Sequence, residues 1–182
     1  YIGDWSSDVC SSDLQKTGKP VVIKKGRQVG ATMMAGALDL YFTNSGLFSN
    51  PPIRVIHLFP SLGQVKKFTQ DKLETLIRAA KDDFINNNKL SGTNAVDNLT
   101  MKQFNTGTLW VDSLGLDGDR IRGMTADVAF FDEFQDCVGL AVGNATKILT
   151  AAKYGPTAQG VQVYFGTPKT RNSNFAATWE MS

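Results

Sequence analysis

Apolar residues fall in short runs bounded by glycine, proline and asparagine, and the runs alternate between strand-like and helix-like spacing. Pro20-Val21-Val22-Ile23 has the length and composition of a strand. The glycine-bearing segment Lys24 to Thr32 follows, and Met33 to Phe42, rich in Ala, Leu and Met, predicts a helix closed by Asn44-Ser45-Gly46. Arg54 to Phe59 predicts a second strand, stopped by Pro60. Ser61 is placed to cap the next helix, whose apolar residues Leu62, Val65, Leu73, Leu76, Ile77 and Ala80 recur near a 3.6-residue period. Asn86 to Asn98 is polar and predicts a loop. Two short strands, near Met101–Phe104 and Thr108–Val111, join through Asn105-Thr106-Gly107 as a hairpin. Val128 to Phe131 is a fully apolar strand ending in Asp132-Glu133, and Val161 to Phe165, apolar but for Gln162, is another, ending in Gly166-Thr167-Pro168. Apolar strands alternating with helices predict an α/β domain with a mostly parallel sheet covered on both faces, and chemistry at the carboxyl ends of its strands.

The first fourteen residues do not join this pattern. Asp4 to Leu14 resembles the in-frame translation of a short sequencing adapter, so residues 1–14 are expected to be a disordered artefact; a genuine polar arm is the alternative. Setting them aside leaves 14 acids against 19 lysines and arginines, and the formal charge rises from +2 to +5. That mildly basic balance is compatible with a nucleic-acid partner without requiring one. Cys137 is then the lone cysteine, which excludes an internal disulfide or a zinc cluster and fits a reducing cytosol. His57 is the single histidine, so mechanisms that need two are excluded. No apolar run approaches the ~18–20 residues of a membrane helix, so no membrane partner is expected.

Three segments carry candidate chemistry. A strand, a glycine turn and a helix place free backbone N–H groups around an anion at the positive helix end. Gly30 and Thr32 fit the phosphate loop Gly-x-x-x-x-Gly-Lys-Ser/Thr, but Ala31 stands where the lysine belongs. Lys25, seven residues before Thr32, can curl back and replace the missing ammonium. Arg27 and Lys24 are further cations, with Lys24 expected to point away; the plain alternative is a strand–turn–helix junction. Asp132-Glu133 puts two carboxylates at the tip of a buried strand, which is costly without a cation or a reaction. In a nucleotide hydrolase the first acid holds Mg²⁺ and the second polarises the attacking water; a helix-capping acid pair is the alternative. At Gly166-Thr167-Pro168 a hydroxyl can sense a γ-phosphate, or the segment is simply a strand-ending turn.

Taken in order, Gly26-Arg27-Gln28-Val29-Gly30-Ala31-Thr32, Phe130-Phe131-Asp132-Glu133-Phe134-Gln135 and Phe165-Gly166-Thr167-Pro168, with Arg120-Ile121-Arg122-Gly123 before the acidic strand, resemble the N-terminal ATPase domain of the tailed-phage terminase large subunit. The resemblance spans roughly Lys16 to Ser182. It implies a P-loop NTPase of the RecA/ASCE-like type, with the Thr167 strand inserted between the phosphate-loop strand and the Asp-Glu strand. It also implies ATP hydrolysis driving double-stranded DNA into a procapsid, in the host cytoplasm. By the same resemblance, Gly26, Arg27, Gln28, Val29, Gly30, Ala31 and Thr32 bind nucleotide. Lys25 is the displaced phosphate lysine, Thr32 and Asp132 hold Mg²⁺, and Glu133 is catalytic, with Arg27 swinging with nucleotide state or replaced by an arginine from a neighbouring subunit. Gly166, Thr167 and Pro168 form the coupling segment. The implied partners are further copies in a ring, a small terminase subunit and a portal. Residues 15–182 are expected to be a partial ATPase domain, with the adenine-binding segment and the nuclease domain outside it.

The remaining polar residues have simpler expectations. His57 predicts a core or edge histidine, Lys66, Lys67, Lys72, Arg78 and Lys81 a solvated helix face, and Phe104, Trp110 and Cys137 packing. Arg120 and Arg122 are candidates to approach a phosphate. A helicase-like ATPase and an inactive phosphate-loop assembly module stand as alternative functions.

Overall fold

The computed structural model describes residues 20–25, 30–44, 52–80, 96–146 and 160–167. The adapter-like run, Gly26 to Val29, Lys81, Pro168 and most of the loop expected at Asn86 to Asn98 lie outside the described residues. Every apolar run within them that predicts a strand forms one: β1 Val21–Lys24, β2 Ile53–Phe59, β3 Met101–Gln103, β4 Gly107–Ser113, β5 Val128–Phe131 and β6 Val161–Gly166. The helices are α1 Ala31–Asn44, α2 Leu62–Phe68, α3 Glu74–Ala79 and α4 Gly139–Thr146. A five-residue π-helical turn, Thr69–Leu73, joins α2 to α3 without a break. Ser61 is the N-cap of α2 as expected and forms a capping box with Gln64, whose side-chain oxygen accepts the Ser61 N–H at 3.1 Å and its hydroxyl at 2.9 Å.

The six strands make one sheet in the order β1-β6-β5-β2-β4-β3, parallel except for β3 against β4. β6 therefore lies between β1, which leads into the Gly26 to Thr32 segment, and the strand that ends in Asp132-Glu133, as expected. The hairpin also forms, but its second strand is longer than expected. β4 pairs with β2 along the whole of β2 and is an interior strand of the main sheet. Gly107 permits that pairing, because a Cβ there would sit 2.6 Å from the Ile53 carbonyl oxygen and 3.0 Å from that of Thr43.

All four residues of β5 are buried, as a parallel strand covered on both faces requires. Val128 and Phe130 pack with α1, α2 and α3, and Ala129 and Phe131 pack with α4 on the opposite face. Gly36 lets α1 approach α3, where an added Cβ would meet Leu76 Cδ1 at 2.9 Å. His57 is a core residue, fully buried on β2. Its Nδ1 lies 2.5 Å from Asp39 Oδ2 of α1, and its ring stacks on Phe59 with centroids 4.6 Å apart. Burial pushes the Asp39 carboxyl pKa up, against the pull of His57 and with a further push from the charge of Asp132.

At the edge opposite the strand tips, Arg54 holds Asp127. Nε and Nη2 reach the two carboxylate oxygens at 3.0 and 2.8 Å, the Arg54 backbone N–H adds a third bond at 2.9 Å, and Nη1 bonds the Thr125 hydroxyl. Beside the hairpin, Lys102 ties β3 to α3 through Glu74 at 2.5 Å and to Asp97 at 2.7 Å. The Asp127 carboxylate is fully buried, so Arg54→Ala leaves an under-compensated charge. The expected loss is about 3 kcal/mol of unfolding free energy in urea titrations, which Arg54→Lys does not restore because it lacks the planar fork. A loss below about 1 kcal/mol for Arg54→Ala would show that the pair does not staple the sheet.

Candidate nucleotide site

The strand order brings the ends of β1, β6 and β5 side by side, and the candidate residues stand on those ends. Lys25 follows β1 with its backbone N–H donating to the Gly166 carbonyl at 2.9 Å, while Lys24 is exposed, as expected. The Lys25 side chain is buried and turns inward. Its Nζ lies 2.5 Å from Asp132 Oδ1, 3.0 Å from Glu133 Oε1 and 3.5 Å from Thr32 Oγ1 on the first turn of α1. Burial works against the ammonium, but the charge and hydrogen bond of Asp132, with those of Glu133, outweigh it. The net effect holds the Lys25 pKa above the ordinary lysine value.

Asp132 is fully buried. Its Oδ1 also accepts the Glu133 backbone N–H at 2.8 Å, whereas Oδ2 has no partner among the described residues. Glu133 has φ 48° and ψ 41°, and among the described residues it is the one non-glycine with positive φ. Such a conformation costs of order 1 kcal/mol and recurs where function dictates backbone direction. Here it turns the chain so that two consecutive carboxylates meet the same ammonium.

A second set of bonds closes a ring. Glu133 Oε2 accepts from Gln135 Nε2 at 2.5 Å, and Gln135 Oε1 accepts the Thr167 backbone N–H at 2.9 Å. The Thr167 hydroxyl donates to the Lys25 carbonyl at 3.0 Å. Lys25, Glu133, Gln135 and Thr167 thus link all three strand tips through direct hydrogen bonds.

A cleft of about 350 Å³ opens beside this ring, lined by Thr32, Asp132 and Glu133 on one side and by Phe59, Gln64 and Lys67 on the other. That volume lies within the range of small-molecule sites. A Mg²⁺ ion accompanying a nucleotide fits the donors present. Mg²⁺ takes oxygen ligands and keeps several waters, and the partnerless Asp132 Oδ2 and the Thr32 hydroxyl belong to residues that line the same cleft.

Of the residues expected in the site, the structure brings together Lys25, Thr32, Asp132, Glu133, Gly166 and Thr167. Ala31 begins α1, and Gly30 just before it is in the left-handed region at φ 73°. Gly26, Arg27, Gln28, Val29 and Pro168 lie outside the described residues. Arg120 and Arg122 are not brought to the cleft. Both are exposed and paired with acids, Arg120 with Asp112 at 2.9 Å and Arg122 with Asp119 at 2.6 Å. Lys66 and Arg78 lie on a solvated face as expected, but Lys67 and Lys72 also line the cleft.

Solved structures with the same arrangement of strands and helices are phage large terminases. The large terminase of bacteriophage HK97 superposes with a TM-score of 0.62 at 10% identity, over 88% of this chain and 32% of that one. The ATPase domain of the Thermus phage P74-26 large terminase gives 0.54 at 18% identity, over 90% and 63%. The large terminase of a thermophilic bacteriophage gives 0.57 at 14% identity, over 97% and 37%, and its complex with ADP matches with a TM-score of 0.50. The fold is that of a large-terminase ATPase domain. The chain spans about a third of the length of the HK97 and thermophilic-phage terminases. No protein-family model and no curated protein sequence matches the chain.

Sequence reasoning gave Gln135 no role, although it stands two residues past the acid pair. Asp39 was also missed. A charged residue in an otherwise apolar helix, seven positions after Thr32, was the available signal for a buried partner. Cys137 packs beneath the site as expected. Burial first, then the charges of Asp136, Asp132 and Glu133, push its thiol from 9.0 up to about 12. At pH 8 the thiolate fraction is about one in ten thousand, and only the thiolate is nucleophilic. Cys137 is therefore expected to resist iodoacetamide at pH 8 in the folded protein and to react on unfolding in urea, read by peptide mass mapping. The same shift makes its stability contribution complete below the unfolded thiol's pKa and lost as pH rises toward about 12. Rapid alkylation of the folded protein at pH 8 would contradict this placement.

Proposed function

We propose that this domain hydrolyses ATP as the motor of a phage terminase large subunit, translocating double-stranded DNA into a procapsid. The observation that carries the proposal is the convergence of Lys25 on Asp132 and Glu133, two carboxylates that line one cleft with Thr32. The ADP complex of the thermophilic-phage terminase, which has the same fold, adds support for a nucleotide ligand. On this reading the segment from Gly26 to Thr32 cradles the phosphates, and Lys25 supplies the ammonium absent at Ala31. Asp132 and Thr32 hold Mg²⁺, which neutralises phosphate charge when bound.

Glu133 accepts the proton of the attacking water, a role for which its partly exposed carboxylate suits it. With ATP in place, the phosphates compete for the Lys25 ammonium and free Glu133 Oε1. Arg27, or an arginine from an adjoining copy, stabilises charge on the transferring phosphoryl group. Thr167, with Gly166 and Pro168, couples the nucleotide's state to moving parts. Double-stranded DNA, a small terminase subunit, a portal and further copies in a ring are the partners of this reading, with the host cytoplasm as the place of action.

The test is ATP turnover in the intact polypeptide that carries this domain, with its partners present. Glu133→Gln is expected to lower kcat at least about 100-fold while leaving ATP affinity within a few-fold of wild type. Lys25→Ala is expected to weaken ATP binding and abolish turnover. A harmless Lys25→Ala would remove the lysine assignment and leave the enzyme standing. Absence of turnover in the wild type would favour a phosphate-loop assembly module instead.

A further inference from the structure

The side chain of Gln135 occupies a position that the proposed reaction leaves unexplained. It lies in the 3₁₀ turn after β5, is half-buried, and bonds two elements at once: the Glu133 carboxylate and the tip of β6. The orientation of its amide follows from chemistry. The Thr167 backbone N–H can only donate, so the oxygen of Gln135 must face β6 and its NH₂ must face Glu133. A second, longer bond from the same NH₂ to Asp136 Oδ2 at 3.3 Å is compatible with that orientation.

The two oxygens of Glu133 are therefore divided between partners of different kinds. Oε1 faces the Lys25 ammonium, which a bound triphosphate attracts away, and Oε2 faces a neutral amide, which it does not. We infer that Gln135 is a positioning residue for the proposed ATP hydrolysis: it grips Glu133 by Oε2, leaves Oε1 for the attacking water, and fastens the carboxylate to the end of β6 at Thr167. A shift of Thr167 then moves Glu133 through a single side chain. This inference rests on the ATP-hydrolysing reading.

The strain at Glu133 is consistent with that role. Its left-handed backbone directs the side chain back over the strand tip, where a flexible carboxylate has several rotamers open to it. A grip on one oxygen removes that freedom before the reaction, which is where precise placement affects rate.

Gln135→Met, similar in length and without hydrogen bonds, and Gln135→Glu, which keeps an acceptor for Thr167 but sets a negative charge against Glu133, test this in the intact polypeptide. Both variants are expected to bind a fluorescent ATP analogue within about twofold of wild type. Their kcat is expected to fall about 10- to 100-fold, more in Gln135→Glu, with KM nearly unchanged. A residue that merely supports the fold would lower the melting temperature without this split between kcat and KM. Wild-type turnover with undiminished kcat in both variants would overturn the inference while leaving the ATPase reading intact. A wild type without turnover would overturn both.

Discussion

A single ammonium set between two carboxylates governs the architecture of the site. Asp132 is fully buried and Lys25 nearly so, and either charge alone would be expensive to desolvate. Together they compensate, and the balance favours the charged lysine despite its burial. The pair thereby binds the end of β1 to the end of β5, with β6 between them. On the proposed ATP-hydrolysing reading, a triphosphate would replace this contact.

That exchange has geometric consequences because the strand tips do not move independently. Thr167 bonds the Lys25 carbonyl, Gln135 bonds Thr167, and Glu133 bonds both Gln135 and Lys25. Withdrawal of the Lys25 side chain opens one link and leaves the other three. The sheet below is rigid by comparison. Its central strands are buried on both faces, His57 ties β2 to α1 through Asp39, and Arg54 locks β2 to β5 at the far edge.

Much of this was legible in the chain. Short apolar runs marked the strands, and the resemblance carried by three segments placed β6 between β1 and β5 and singled out Lys25, which lies beside Asp132 and Glu133. What escaped was pairing across long separations. Arg54 and Asp127 lie 73 residues apart and Gln135 and Thr167 32 apart, and periodicity assigns a face without assigning a partner. β4 was underestimated because Gly107 reads as part of the turn and Asp112 ends the apolar run, although both lie within the strand.

The most direct test is a crystal structure of the protein with Mg²⁺ and a non-hydrolysable ATP analogue. The triphosphate is expected in the cleft between Thr32 and Glu133, with the Lys25 ammonium moved from the two carboxylates onto phosphate oxygens. A nucleotide bound elsewhere, or one bound in the cleft with Lys25 still seated between Asp132 and Glu133, would contradict the account.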